Sequence, residues 1–251
     1  IPLRLVGSEM CIRDSGGLMR PDDVQLAIRK QAGSLSHYPD GTLVCVENTS
    51  NRGGGACYPQ RTLDEIAAVA KANNCAIHMD GARVFNAAVA TKTPLDRMVR
   101  DYDSISICLS KGLGAPIGSV LVGSASFIAQ AHRWRKMFGG GMRQAGMIAA
   151  AGLHALDHHV ERMAEDHERA IRMANAIDAI EGFSVDLDTV ETNMVYFDST
   201  QPALQIMDLL SDHSIDVLDI GPNSCRIVVH LHVTDEDVDQ VIAAFNQLSV
   251  V

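Results

Sequence analysis

Short apolar runs alternate with segments of helical spacing through the first half of the chain, and this alternation limits the possible folds more than any other feature. Residues 42–47, 75–79, 104–109 and 119–122 are apolar runs of strand length bounded by turn residues. Between the first two, Leu63, Ile66, Ala67 and Ala70 recur at helical spacing within residues 62–73. Strands separated by helices in this way predict an α/β fold, a mostly parallel sheet with helices on both faces. Pro21 at a first helical position, followed by Asp22 and Asp23, predicts a helix to about Gln31, with a turn over residues 37–41. Beyond a glycine run, residues 143–179 read as a long helical stretch broken near Asp157. From Phe183 the pattern is strand, strand, helix, strand, strand, helix, ending over residues 235–248, which predicts a small C-terminal α/β domain.

Charge and cysteine usage narrow the function. With 21 basic and 31 acidic residues the net charge is −10, and no basic stripe suited to phosphate neutralisation is present, so nucleic acid is not an expected partner. No apolar run reaches the roughly eighteen residues of a membrane span. The six cysteines lie at irregular spacings without a C-x-x-C, several inside apolar runs, as suits a reducing cytoplasm. His154, His158, His159 and His167, with Asp157 and Glu161 between them, invite a metal reading, and His154 and His158 share a helical face. Their stretch alternates charges as a solvated helix does, so no metal is expected. His230 and His232 fall on the same side of a predicted strand, where core or surface placement is expected over ligation.

Ligands of open α/β sheets bind beyond the carboxyl ends of the strands. Asp80 ends one apolar run and opens Asp80-Gly81-Ala82-Arg83, and Lys111 sits on the turn Lys111-Gly112-Leu113-Gly114 after the next. A lysine on a glycine-rich turn and an aspartate at the preceding strand end are what a pyridoxal 5′-phosphate site requires. The amine condenses with the cofactor aldehyde, and a buried carboxylate keeps the pyridine nitrogen protonated. A solvated loop lysine and a helix-capping aspartate are the competing readings.

Four segments, residues 45–49, 78–88, 106–119 and 135–146, resemble the low-specificity L-threonine aldolases in the family's order, and the likeness runs from about Gly16 to the C-terminus. The resemblance implies the large domain of PLP fold type I over residues 16–158 and a small domain over 159–251. It implies Lys111 as the catalytic, cofactor-bearing lysine, Asp80 as the partner of the pyridine nitrogen and Arg143 as a phosphate-side residue. Arg83 and Arg226 match the family's ligands for the substrate carboxylate. The implied reaction is cleavage of L-threonine or L-allo-threonine to glycine and acetaldehyde, by a cytoplasmic homo-oligomer, dimer or tetramer, acting on a small amino acid. Asn48 and Glu47 read either as near the ring or as turn-capping groups. Another β-eliminating lyase, tryptophanase-like, and a remnant that does not retain the cofactor are the alternatives. Residues 1–15 have neither helical nor strand logic and read as a non-native junction. The family's ring-stacking histidine and phosphate-binding Gly-Thr turn match nothing in this chain, so an N-terminally truncated, catalytically incomplete fragment is expected.

Overall fold

A computed structural model describes residues 16–29 and 40–248. The junction expected at residues 1–15, Cys11 within it and the first part of the turn expected at residues 37–41 lie outside the described residues. Along the chain run α1 (Pro21–Ala27), β1 (Leu43–Glu47), α2 (Gln60–Ala72), β2 (Ala76–Asp80), α3 (Val84–Thr91), α4 (Leu95–Val99), β3 (Ser104–Cys108), β4 (Ser119–Gly123), α5 (Ala125–Met137), α6 (Gly146–His158) and α7 (Met163–Asp178). They are followed by β5 (Phe183–Ser184), β6 (Met194–Ser199), α8 (Ala203–Ser211), β7 (Leu218–Asp219), β8 (Ser224–Val228) and α9 (Asp235–Leu248).

The first sheet has the order β1-β2-β3-β4. Its first three strands are parallel, and β4 returns antiparallel to β3. Burial alternates along β1 and β2. Val44, Val46, Ile77 and Met79 are buried, and the intervening Cys45, His78 and Asp80 are not, as the two-residue period of a strand demands. The buried side packs against Leu63, Ile66, Ala67 and Ala70 of α2, the i, i+3, i+4, i+7 stripe seen in the sequence. The helix stops where Asn74 adopts φ +52°, a left-handed residue just past the end of the kind that closes many helices.

The second sheet, β5-β6-β8-β7, is antiparallel throughout. Helices α7, α8 and α9 supply its core with Met173, Ile177, Ile206 and Phe245. Phe183, Phe197 and Phe245 meet edge to face at centroid distances of 5.1–6.0 Å, a favoured aromatic geometry.

Some expectations shift. Helix α1 ends at Ala27 and not near Gln31, because Ile28 takes extended dihedrals (φ −70°, ψ 114°). The stretch from Arg143 is two helices, α6 and α7, as the break near Asp157 foretells. Helix α5 has no counterpart in the sequence pattern, since none of its residues is buried; its start is fixed by Ser124 Oγ, which accepts the Phe127 N–H at 3.3 Å. His230 and His232 are not on a strand. The ladder ends when Val229 N–H donates to Asn193 O, and a turn follows in which Val233 N–H donates to His230 O. Among the described residues no helix is long and apolar enough to cross a membrane, and no three His, Cys, Asp or Glu side chains gather as a metal would need.

Helix α7 also reaches the first sheet's helices. His167 on α7 is 6% exposed, and its Nε2 lies 3.1 Å from Nδ2 of the buried Asn86 on α3. Burial pushes the His167 pKa from 6.5 down to about 4, against the raising influence of Asp166. The folded chain therefore holds this imidazole neutral, and between about pH 6.5 and 4 the unfolded chain binds the extra proton. His167 should cost no stability above that window and on the order of 3 kcal/mol once the pH falls through it. Urea midpoints measured against pH should show this acid-side loss in the wild-type chain and not in His167→Gln; equal pH slopes would remove the buried neutral histidine.

Candidate active site

Three parallel strands bring their carboxyl ends into line. Glu47 pairs in register with Asp80, and Asp80 with Ser106. The chain leaves β2 tightly: Gly81 N–H donates to Ser106 O at 2.8 Å, and Ala82 N–H donates to Asp80 Oδ1 at 3.0 Å. No protein donor among the described residues reaches Asp80 Oδ2, and the side chain is exposed. The carboxylate was expected to be buried, but it points to the open side of the sheet, opposite the Ile77 and Met79 side.

The neighbouring strand β3 leads into the lysine turn. Leu109 N–H donates to Gly118 O and Ala115 N–H to Leu109 O, so the loop closes at its neck, and Gly114 N–H donates to Lys111 O at 2.8 Å inside it. Gly114 has φ +69°, a conformation that favours glycine. Leu113 and Ala115 bury themselves against Ala155 and Met163, which turns Lys111 outward. Its ammonium is exposed and forms no ion pair with a described residue.

Arg83 and Arg226, 143 positions apart in the sequence, converge on one side chain. Asn51 Oδ1 accepts from Arg226 Nη1 at 2.9 Å and from Arg83 Nη1 at 3.4 Å. Asn51 is itself held on both sides: its N–H donates to Glu47 Oε2 at 3.1 Å, and its carbonyl accepts the Tyr196 hydroxyl at 2.6 Å. Tyr196 faces Arg226 across the β6 and β8 ladder. The Nε–H groups of both arginines are buried without a partner. Burial, and next the Arg226 charge, push the Arg83 pKa below its ordinary value, with Glu47 pulling the other way. Two forked donors share one neutral amide oxygen, which leaves an arrangement that an anionic acceptor would complete.

The remaining expectations fare differently. Arg143 lies in the turn between α5 and α6, exposed, and no hydrogen bond or ion pair among the described residues joins it to Asp80, Lys111 or the arginine pair. Asn48 is fully buried, accepting the Tyr58 N–H at 3.3 Å and approaching Met98 Sδ at 3.3 Å, so it is a loop brace. Glu47 caps the same loop through Asn51. Asn51 and Tyr196 were not singled out by the sequence, which offers no local signal for a contact made 145 positions apart.

Residues 4–200 match the β-eliminating lyase family. The chain belongs to that family. This lyase-family chain is 38% identical over 238 residues to the low-specificity L-threonine aldolase 1 of Arabidopsis thaliana, covering 93% of this chain and 66% of the relative. It is 38% identical over 226 residues to the low specificity L-threonine aldolase of Escherichia coli K12, covering 90% and 62%. Among solved structures, the threonine aldolase of Leishmania major superposes with a TM-score of 0.78 at 19% identity, over 96% of this chain and 70% of that one. The sphingosine-1-phosphate lyase of Burkholderia pseudomallei superposes with a TM-score of 0.69 at 18% identity, over 95% and 56%. The chain spans about two thirds of the length of the curated relatives it matches. These structural likenesses establish the shared α/β fold with its mostly parallel sheet.

In this lyase-family chain, removing the shared acceptor tests the arginine arrangement directly. Asn51→Ala should cost about 1–3 kcal/mol of unfolding free energy, since it orphans two buried guanidinium contacts, read as a lower urea midpoint at constant slope. An unchanged midpoint would show that the amide does not mediate between the arginines.

Proposed function

We propose that this chain is the lysine-bearing part of a pyridoxal 5′-phosphate-dependent lyase that cleaves L-threonine or L-allo-threonine to glycine and acetaldehyde. The observation that carries the reading is a carboxylate with one oxygen free of protein donors and an unpaired amine following adjacent strands, in a chain of the β-eliminating lyase family. The residues fit the cofactor chemically. Pyridoxal 5′-phosphate, when bound, supplies an aldehyde that condenses with amines and a ring that accepts the electron pair released from a breaking Cα–Cβ bond.

The chain's own residues then divide the work. Lys111 would supply the amine that condenses with that aldehyde. Asp80, whose Oδ2 is free of protein donors, would pair with the pyridine nitrogen and favour its protonated form. Arg143 serves the phosphate. Arg83 and Arg226 bind the substrate carboxylate, which supplies the anionic acceptor their shared contact with Asn51 lacks, and each contributes a charge-assisted hydrogen bond. Because Arg83 follows β2 and Arg226 lies on β8, the carboxylate would tie the large domain, residues 16–158, to the small one, residues 159–251. A homo-oligomer is supported by exposed apolar side chains on β4, α5 and α6 and at the end of α5, among them Val122, Trp134, Met137, Phe138 and Leu153.

Borohydride reduction of protein loaded with the cofactor, followed by peptide mapping, should place the label on Lys111; a label on Lys92 or Lys136 instead would end the assignment. Asp80→Ala should leave the cofactor's ring nitrogen without its carboxylate partner. Threonine cleavage should collapse while label at Lys111 persists, and turnover within about twofold of wild type would sink the role of Asp80. Arg226→Ala should weaken glycine binding by about 1.5–3 kcal/mol without altering cofactor content. Calorimetric titration showing wild-type affinity would remove Arg226 from the carboxylate site.

A further inference from the structure

The turn that carries Lys111 rests on a buried polar pair that no step of the proposed reaction uses. Asn86 is fully buried at the start of α3. One end of its amide is committed, with Nδ2 3.1 Å from His167 Nε2. The other end is not, because Oδ1 is buried without a hydrogen-bond partner. A buried orphan carbonyl is unfavourable, and a core position of this kind is ordinarily apolar.

Its location supplies a reason. A Cβ built on Gly112 would lie 2.8 Å from Asn86 Oδ1, 3.4 Å from its Nδ2 and 3.3 Å from Met163 Cε. Gly112 does not have positive φ, so glycine is required here by the approach of the amide and not by backbone conformation. The residue next to Lys111 is thus seated directly on the Asn86 amide. The turn has a second hold: His159 Nδ1 lies 2.7 Å from Leu113 O and donates to it. His167 fixes the Asn86 amide by accepting at Nε2, which requires the tautomer protonated at Nδ1. The ring is held in turn by its place on α7, one residue after Asp166, which is fully buried and paired with Arg162.

We infer that Asn86, oriented by His167, is a positioning residue for Lys111: the amide sets the height of the Lys111–Gly112 backbone and so the place of the amine, and it ties that place to α7. The inference rests on Lys111 being the cofactor lysine. A seat of this kind acts through geometry, and misplacement of a reacting group by about 1 Å costs up to about a hundredfold in rate.

The test measures amine placement apart from turnover. Wild-type chain and the variants Asn86→Ala, His167→Leu, His167→Gln, Gly112→Ala and Ile206→Ala are treated with pyridoxal 5′-phosphate and borohydride, and the label on Lys111 is compared with that on Lys71, Lys92 and Lys136 by peptide mapping. Circular dichroism on each sample reports the folded fraction. Asn86→Ala and His167→Leu should lower the Lys111 share by about tenfold or more, while His167→Gln, whose amide oxygen can accept in place of Nε2, should keep most of it. Ile206→Ala, which opens the core of the second sheet away from the turn, should keep the wild-type share.

A wild-type share in Asn86→Ala, or an equal loss in Ile206→Ala, would overturn the positioning role. Should Asn86→Ala not fold, Gly112→Ala decides, since its added Cβ meets Asn86 Oδ1 at 2.8 Å and forces the turn and the amide apart; wild-type labelling of Lys111 there overturns the proposal equally. Unselective labelling of the wild-type chain would instead overturn the assignment of Lys111 itself, and the seat with it.

Discussion

The parallel register of β1, β2 and β3 is the constraint on which the site depends. Side chains on a strand alternate between faces, so a slip of one residue would carry Asp80 to the α2 side and Met79 to the open side. The buried set Val44, Val46, Ile77 and Met79 makes that slip unfavourable, because it would expose the large apolar side chains that α2 covers. The pairing of β2 with β3 covers only His78 to Asp80, and it is extended by Asp103. Its N–H donates to Ile77 O at 3.0 Å and its Oδ2 accepts the Ile77 N–H at 2.8 Å. A carboxylate at the entry of β3 therefore helps fix where a different carboxylate emerges at the exit of β2.

A second constraint is electrostatic. Two guanidiniums that are half-buried and share a single neutral acceptor repel each other, and the lowered pKa of Arg83 records both the lost hydration and the neighbouring charge. The arrangement survives because its neighbours oppose the cost. Glu47 lies near enough to favour the charged form of Arg83, and Tyr196 and Glu47 fasten the Asn51 backbone so that its amide oxygen stays between the forks. Neutralising an anion there relieves repulsion as well as adding hydrogen bonds, a gain that an isolated surface arginine could not offer.

What the sequence could reveal follows from how local each feature is. Helix α2 is legible because its apolar residues repeat near a period of 3.6, and strands β1 to β4 because each is a short apolar run bounded by turn residues. Asp80 and Lys111 stand out because strand ends and glycine turns are also local signals. Helix α5 escapes because it buries no residue and so leaves no stripe. Asn51 and Asn86 escape for another reason: their partners lie 175 and 81 positions away, and an asparagine near a glycine run reads as a turn residue. His167 was grouped with His154, His158 and His159 on a solvated helix. The structure separates them, since the rings of His154, His158 and His159 lie together at centroid distances of 4.5–5.3 Å, while His167 turns inward on α7 to meet Asn86. The alternation of charges around it conceals the one buried face, where Met163, Asp166, Ala170, Met173 and Ala174 follow helical spacing.

Among the described residues, two of the junctions between the halves that carry the two sheets touch the candidate site. On one side Asn51 links the loop after β1 to Arg226 on β8 and Tyr196 on β6. On the other, α7 packs Met173, Ala174 and Ile177 into the core of the second sheet while His167, on its first turns, grips Asn86 beneath the lysine turn. Cores are close-packed and resist continuous deformation, so a rotation of one sheet against the other cannot be absorbed inside either. It must appear at these junctions, as a change in the arginine pair and in the seat under Gly112 together. The arginine pair around Asn51 and the seat under the lysine turn are then not independent variables of this fold.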